Sequence, residues 1–186
     1  AGGIAPNLFN PTRLGQFLAM FAPQTLFALG IIVLLWSRSQ VAVNKVVTSL
    51  VLCVGAPILL ILVSAIIANQ RATQGRMEGL EPLPAGASGY LSIIMERWTT
   101  QGWTFVLIAL LFGLALALLW QRLVASSEQE GQPSSQDWLS IDTFALFLAG
   151  IGLLYILIPE VVFLRDVFGS RMNTIFKFYY QSWLLL

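Results

Sequence analysis

FLAMFAPQTLFALGIIVLLW, residues 17–36, decides the fold class. The run carries no charged side chain. As an α-helix it would reach about 30 Å, the thickness of a bilayer's hydrocarbon core. Lipid offers the backbone no water, so a span must satisfy its own N–H and C=O groups, and a helix does this. Pro23 predicts a kink near the start, and Trp36 suits the interface at the end. Outward from this run the pattern repeats. Residues 46–68 form a second uncharged span with Pro57 in its middle, and 103–124 a third that opens on Trp103. Residues 141–164 form a fourth, with Asp142 in the first turn, where the helix dipole favours an anion. Residues 174–186 begin a partial fifth.

Composition agrees. Of 186 residues, 57% are hydrophobic and 10% charged, against about 25% charged in a soluble domain. Such a chain cannot cover a water-exposed surface with polar groups. The net charge of +1 gives no basic field for nucleic acid. The absence of His removes the usual general base and the commonest metal ligand. Cys53 stands alone inside an apolar run, where it reads as a small core residue. No metal-ligand spacing, phosphate-binding glycine loop, dinucleotide motif or nucleophile–base pair is present, so no cofactor is evident.

The connections place the charges. A short turn, 37–45, carries Arg38 and Lys45, and 125–140 has linker composition. The long connection 69–102 contains YLSIIMERW, residues 90–98, an amphipathic stretch too short to span and suited to the interface. Alternation across four spans puts the N-terminal segment, 69–102 and 165–173 on one face. Arg13, Arg71, Arg76, Arg97, Arg165, Arg171 and Lys177 gather there, against Arg38, Lys45 and Arg122 opposite. The positive-inside rule would make the first face cytoplasmic. If those cations bind an anion, they do not report topology.

Four constellations on that face could carry chemistry. In the charged stretch 159–183, Gly169-Ser170 can cap a helix with Arg171 at N1 and Asn173 at N3. A helix N-terminus of that kind suits a phosphate, with Arg165 and Arg171 as bidentate donors. Asn173, Lys177 and Gln181 then form a polar stripe. The plainer reading has Lys177 snorkelling and Glu160, Arg165, Asp166 and Arg171 pairing among themselves. Glu96 could act as a general base or position a donor, or the adjacent Glu96-Arg97 pair is a solvated face. Asn7, Asn10, Arg13 and Gln16 could line the same site, although capping alone explains Asn10 before Pro11. Glu160 after Pro159 either faces a cavity or pairs with Arg165 or Arg171.

The residues also carry a resemblance. NPTRLGQF, 10–17, together with LRDVFGSRMNTIFKFYYQSW, 164–183, resembles the Chlor_Arch_YYY membrane proteins, whose function is unknown. The triple-Tyr motif behind that name is absent here. The general layout of that family is similar to the GT-C membrane glycosyltransferases, which use polyprenyl-phosphate sugars. The resemblance implies a non-cytoplasmic face for the charged segments. It supplies no catalytic acid for this stretch of chain, so the catalytic residue is unknown and no metal ligand is assigned.

The expectation is an all-α polytopic transmembrane helix bundle with four full spans, a partial fifth and one short interfacial amphipathic helix. Residues 1–186 form a single transmembrane region of a larger membrane protein, since the chain starts at Ala1 and stops within an apolar run. It is expected to be multi-pass in the plasma membrane, with the bilayer and the remainder of that protein as partners. The first functional expectation is part of a GT-C-like glycosyltransferase. Arg165, Arg171, Asn173 and Lys177 would hold the phosphate of a polyprenyl-phosphate sugar, near Arg13 and Arg97. Glu96, Glu160, Asp166 and Gln181 would give polar support. A transporter or flippase segment and a non-catalytic scaffold are the alternatives.

Overall fold

The computed structural model describes residues 3–74, 89–128, 141–165 and 171–186, without the side chains of 125–128 and of Arg165. Four helices are long and apolar enough to cross a membrane: α1 (Leu14–Ser37), the combined helix Val43–Thr73, α5 (Trp103–Glu128) and α6 (Ile141–Val161). Between the second and third spans lies α4 (Tyr90–Gln101), and α7 (Met172–Leu185) follows α6. The expected all-α membrane bundle is therefore present.

Burial tells which helices are central. Half of the most apolar window of Trp103–Val124 is buried, against 17% for Val43–Thr73. So α5 sits in the middle, and the second span presents most of its apolar surface outward. Phe17, Phe21, Ala28 and Ile32 of α1 meet Phe105, Ile108 and Leu118 of α5 and Leu146, Leu153 and Ile156 of α6 in one core. Between helices in lipid, close packing does the work that water exclusion does elsewhere. Gly113 of α5 serves that packing: a Cβ there would lie 2.9 Å from the Leu50 side chain.

The two span prolines sit in different local settings. Pro23 lies inside α1, which runs on through it. In the second span, α2 (Val43–Leu50) passes through a π-helical turn, Val51–Gly55, into α3 (Ala56–Thr73) with Pro57 in its first turn. A proline lacks an N–H and crowds the carbonyl four residues back. The wider turn before it accommodates both.

The fourth span is a correction. It ends at Val161, not Leu164, and Val162–Arg165 is a short strand, β2. It pairs antiparallel with β1 (Gly3–Pro6), Gly3 opposite Arg165 and Pro6 opposite Val162. The reason lies at the end of α6. The Asn7 backbone N–H bonds the Val161 carbonyl at 2.8 Å, and the Asn7 side chain donates to the Glu160 carbonyl at 3.1 Å. With its last carbonyls taken by another segment, the helix stops and its continuation becomes strand. The reading of Asn10 as an N-cap is also corrected. The helix starts at Leu14, with Arg13 in the capping position and no side-chain cap. Asn7 orders the approach instead, exchanging hydrogen bonds with the backbone of Asn10.

Between α4 and α5 there is one residue, Gly102. A Cβ there would sit 2.5 Å from the Trp98 carbonyl oxygen, closer than any real contact. Glycine thus allows the amphipathic helix to turn at once into the span.

Candidate anion-binding site

At one end of the bundle the segment 7–13, α4, the end of α6 and the start of α7 come together. The centre is Glu160, with 0% of its surface exposed. Its Oε1 accepts from Arg171 at 3.0 Å, from the Tyr179 hydroxyl at 3.1 Å and from the Thr12 hydroxyl. Its Oε2 accepts the Thr12 backbone N–H at 2.9 Å. Arg171, also buried, donates further to the Pro159 carbonyl at 3.1 Å and to Thr12 Oγ1 at 2.7 Å. A buried ion pair costs several kcal/mol per ion in desolvation and is tolerated when further hydrogen bonds complete it. Here they do. Of the readings open for Glu160, the geometry shows pairing with Arg171.

Over this hub lies a cavity of about 940 Å³. Arg13, Arg97 and Arg171 all line it, with Gln16 and Gln101 beside them. Phe9, Phe17 and Ile175 supply apolar wall. Arg97 is held by a hydrogen bond to the Phe9 carbonyl at 2.6 Å and lies over the Phe9 ring. The neighbouring Trp98 donates to the Leu8 carbonyl at 3.0 Å, fixing α4 against the N-terminal segment. Among the described residues Arg171–Glu160 is the one ion pair, so neither Arg13 nor Arg97 has a carboxylate partner there.

The other expected site residues fall elsewhere. Lys177 and Gln181 are exposed and do not line the cavity. Lys177 is two residues from Ile175, about 200° around the helix, so it faces away from the cavity wall. Glu96 is exposed on α4 and does not line it either. Asn173 is half-buried in the first turn of α7 and has an interaction partner. Arg171 takes the position before Met172, where α7 begins, and its side chain turns back to Glu160, so the expected N1 and N3 places of Arg171 and Asn173 shift by one. The Gly169-Ser170 cap, Arg76 and Asp166, like most of the linker 125–140, lie outside the described residues. So does the Arg165 side chain, although its backbone pairs with Gly3. No His, Cys, Asp or Glu group fit to hold a metal occurs among the described residues.

Sequence reasoning missed Thr12, Tyr179 and Gln101. Thr12 and Tyr179 matter because Glu160 is buried. A signal existed only in combination: a carboxylate inside an apolar run needs donors, and hydroxyls suit it.

Comparison with known families agrees with this architecture. The model of a family described as uncharacterized membrane protein (DUF2298) matches residues 1–186. The chain belongs to that family. It is an integral, multi-pass membrane protein, embedded in a lipid bilayer. The DUF2298 match supports neither the narrower Chlor_Arch_YYY designation nor the likeness to GT-C enzymes. No curated protein and no solved structure matches the chain.

Proposed function

We propose that this chain contributes a binding site for the phosphate of a lipid-linked sugar, as part of a GT-C-like membrane glycosyltransferase. One observation carries the reading: three arginines from three separate segments line one cavity, and two of them have no acidic partner among the described residues. Guanidinium groups match phosphate oxygens in pairs and are the usual choice for that task. Arg171, neutralised by Glu160, would present a fixed donor edge, while Arg13 and Arg97 would supply the net positive charge. The polar lining residues lie at one end of the bundle, which favours a site over a path through it. The glycosyltransferase part rests on the resemblance of 10–17 and 164–183 and on the bilayer setting. Glu160 has no role as acid or base in this scheme, because both of its oxygens are occupied and it is sealed from the cavity. The plasma membrane is the proposed location.

The test is a transfer assay on membranes that contain the full protein, with radiolabelled polyprenyl-phosphate sugars as donors. Arg13→Ala and Arg97→Ala should each lower transfer at least tenfold at normal expression. Transfer unaffected by both substitutions removes the site. Donor binding that depends on both arginines without any transfer retains the site and removes the enzyme.

A further inference from the structure

The cavity does not end at its arginines. Along α1 its lining runs from Arg13 through Gln16 and Phe17 to Met20, one face of the helix. Along α7 it runs from Arg171 to Ile175 and Tyr179. Each wall therefore changes from cationic to apolar over roughly 10 Å of helix. Both walls head into the layer that α6 spans. Thr12 at the entry of α1 and Tyr179 of α7 meet Glu160 at the end of α6, while Ser182 Oγ further along α7 donates to the Gly152 carbonyl at 2.9 Å. So α7 runs back antiparallel along α6, beside α1. The two flanking helices meet each other chiefly where Tyr179 lies edge-on to Phe21, ring centroids 5.1 Å apart. Above that contact the space between them is open, and Met20 is 63% exposed at its edge.

We infer that this cavity continues as a lateral slot between α1 and α7, which takes the hydrocarbon chain of an amphiphilic phosphate while Arg13 and Arg97 hold its head. This rests on the phosphate-binding reading above and commits the ligand to the bilayer as its source. A soluble phosphate would have no use for an apolar wall that runs down two helices. A charge-neutral lipid would leave the two cations unmatched. The ligand enters sideways, head last along the membrane face, with no need to leave the lipid.

The experiment is photolabelling of the full protein in phosphatidylcholine nanodiscs. The probe is an alkyl phosphate monoester with a diazirine halfway along its chain, and cross-links are mapped by mass spectrometry. Labels should fall on residues 17–20 and 172–179. They should drop about tenfold in the Arg13→Ala, Arg97→Ala double variant, with the corresponding alcohol in place of the phosphate, and in Met20→Trp, which fills the slot. A second, apolar crevice is lined by Ile58, Ile61, Ile94 and Met95, between α3 and α4; labelling that depends on the arginines but maps there, or that persists in Met20→Trp, overturns the slot and leaves the phosphate site standing. Labelling indifferent both to the arginines and to the phosphate group overturns the phosphate site, and the slot with it.

Discussion

Arg171 and Arg13 line the same cavity from opposite circumstances. Arg171 is buried, hydrogen-bonded to Thr12, Pro159 and Glu160, and neutralised by a carboxylate that no solvent reaches. Arg13 is exposed at the start of α1 with no carboxylate partner among the described residues. The first holds three chain segments together, the N-terminal segment, the end of α6 and the start of α7, and the second is available to a ligand. Charge in an apolar protein thus divides into a part that builds the site and a part that uses it, and the two are separable by mutation.

Removal of the carboxylate breaks the building half. Glu160→Ala strands a buried guanidinium, and the loss of stability should be about 3–5 kcal/mol. Thermal unfolding in detergent, followed by tryptophan fluorescence, measures it. A loss below about 1 kcal/mol, typical of solvent-exposed pairs, would contradict the burial of the pair. The using half responds in the other observable. The Arg13→Ala, Arg97→Ala double variant should weaken binding of an alkyl phosphate by about 100-fold or more, since hydrogen bonds to charged groups contribute about 1.5–3 kcal/mol each. Arg13→Ala alone should shift stability by less than about 0.5 kcal/mol. A sharper version of the comparison moves the frame and keeps both charges. Gly102→Ala forces a methyl against the Trp98 carbonyl, should cost about 1–3 kcal/mol, and should weaken binding by displacing Arg97 on the same short helix. The smallest effect is expected on the far side of α7. Lys177→Ala and Gln181→Ala should leave stability within about 0.5 kcal/mol and alkyl phosphate affinity unchanged. A clear loss of affinity in Lys177→Ala would bring the outer face of α7 into the site.

Sequence alone made the membrane bundle legible, because four strongly apolar runs near bilayer length, two of them uncharged, leave few other structures open. The meeting of the N-terminal segment, α4 and the start of α7 at one end also followed, from simple alternation. What did not follow was local. The β1–β2 pair is four residues on each side, and neither GIAP nor VFLR alternates or carries a hairpin turn. The end of α6 at Val161 is set by Asn7, far away in the chain, so no window around residue 161 contains the cause. Lys177 suggested a ligand role by its charge, but its direction depended on the helical phase of α7, which is fixed by packing on α6. Glu160 and Arg171 were visible as charges; that they complete each other required the fold.

The antiparallel pair of β1 and β2 has a consequence for biogenesis. Thr12 and Glu160 are separated by 148 positions, yet the N-terminal segment finds its strand partner, its carboxylate and the Arg171 side chain only there. Ribosomes add about 5–20 residues per second, so segment 3–13, once emerged, waits on the order of 10–30 s for the segment that fastens it. During that interval the four spans can insert while their charged end stays open. The last helix to leave the ribosome from this region, α7, is also the one that closes it. A nascent chain stalled before residue 160 should therefore have an N-terminal segment that a protease cuts readily, and one extended past residue 186 should resist it.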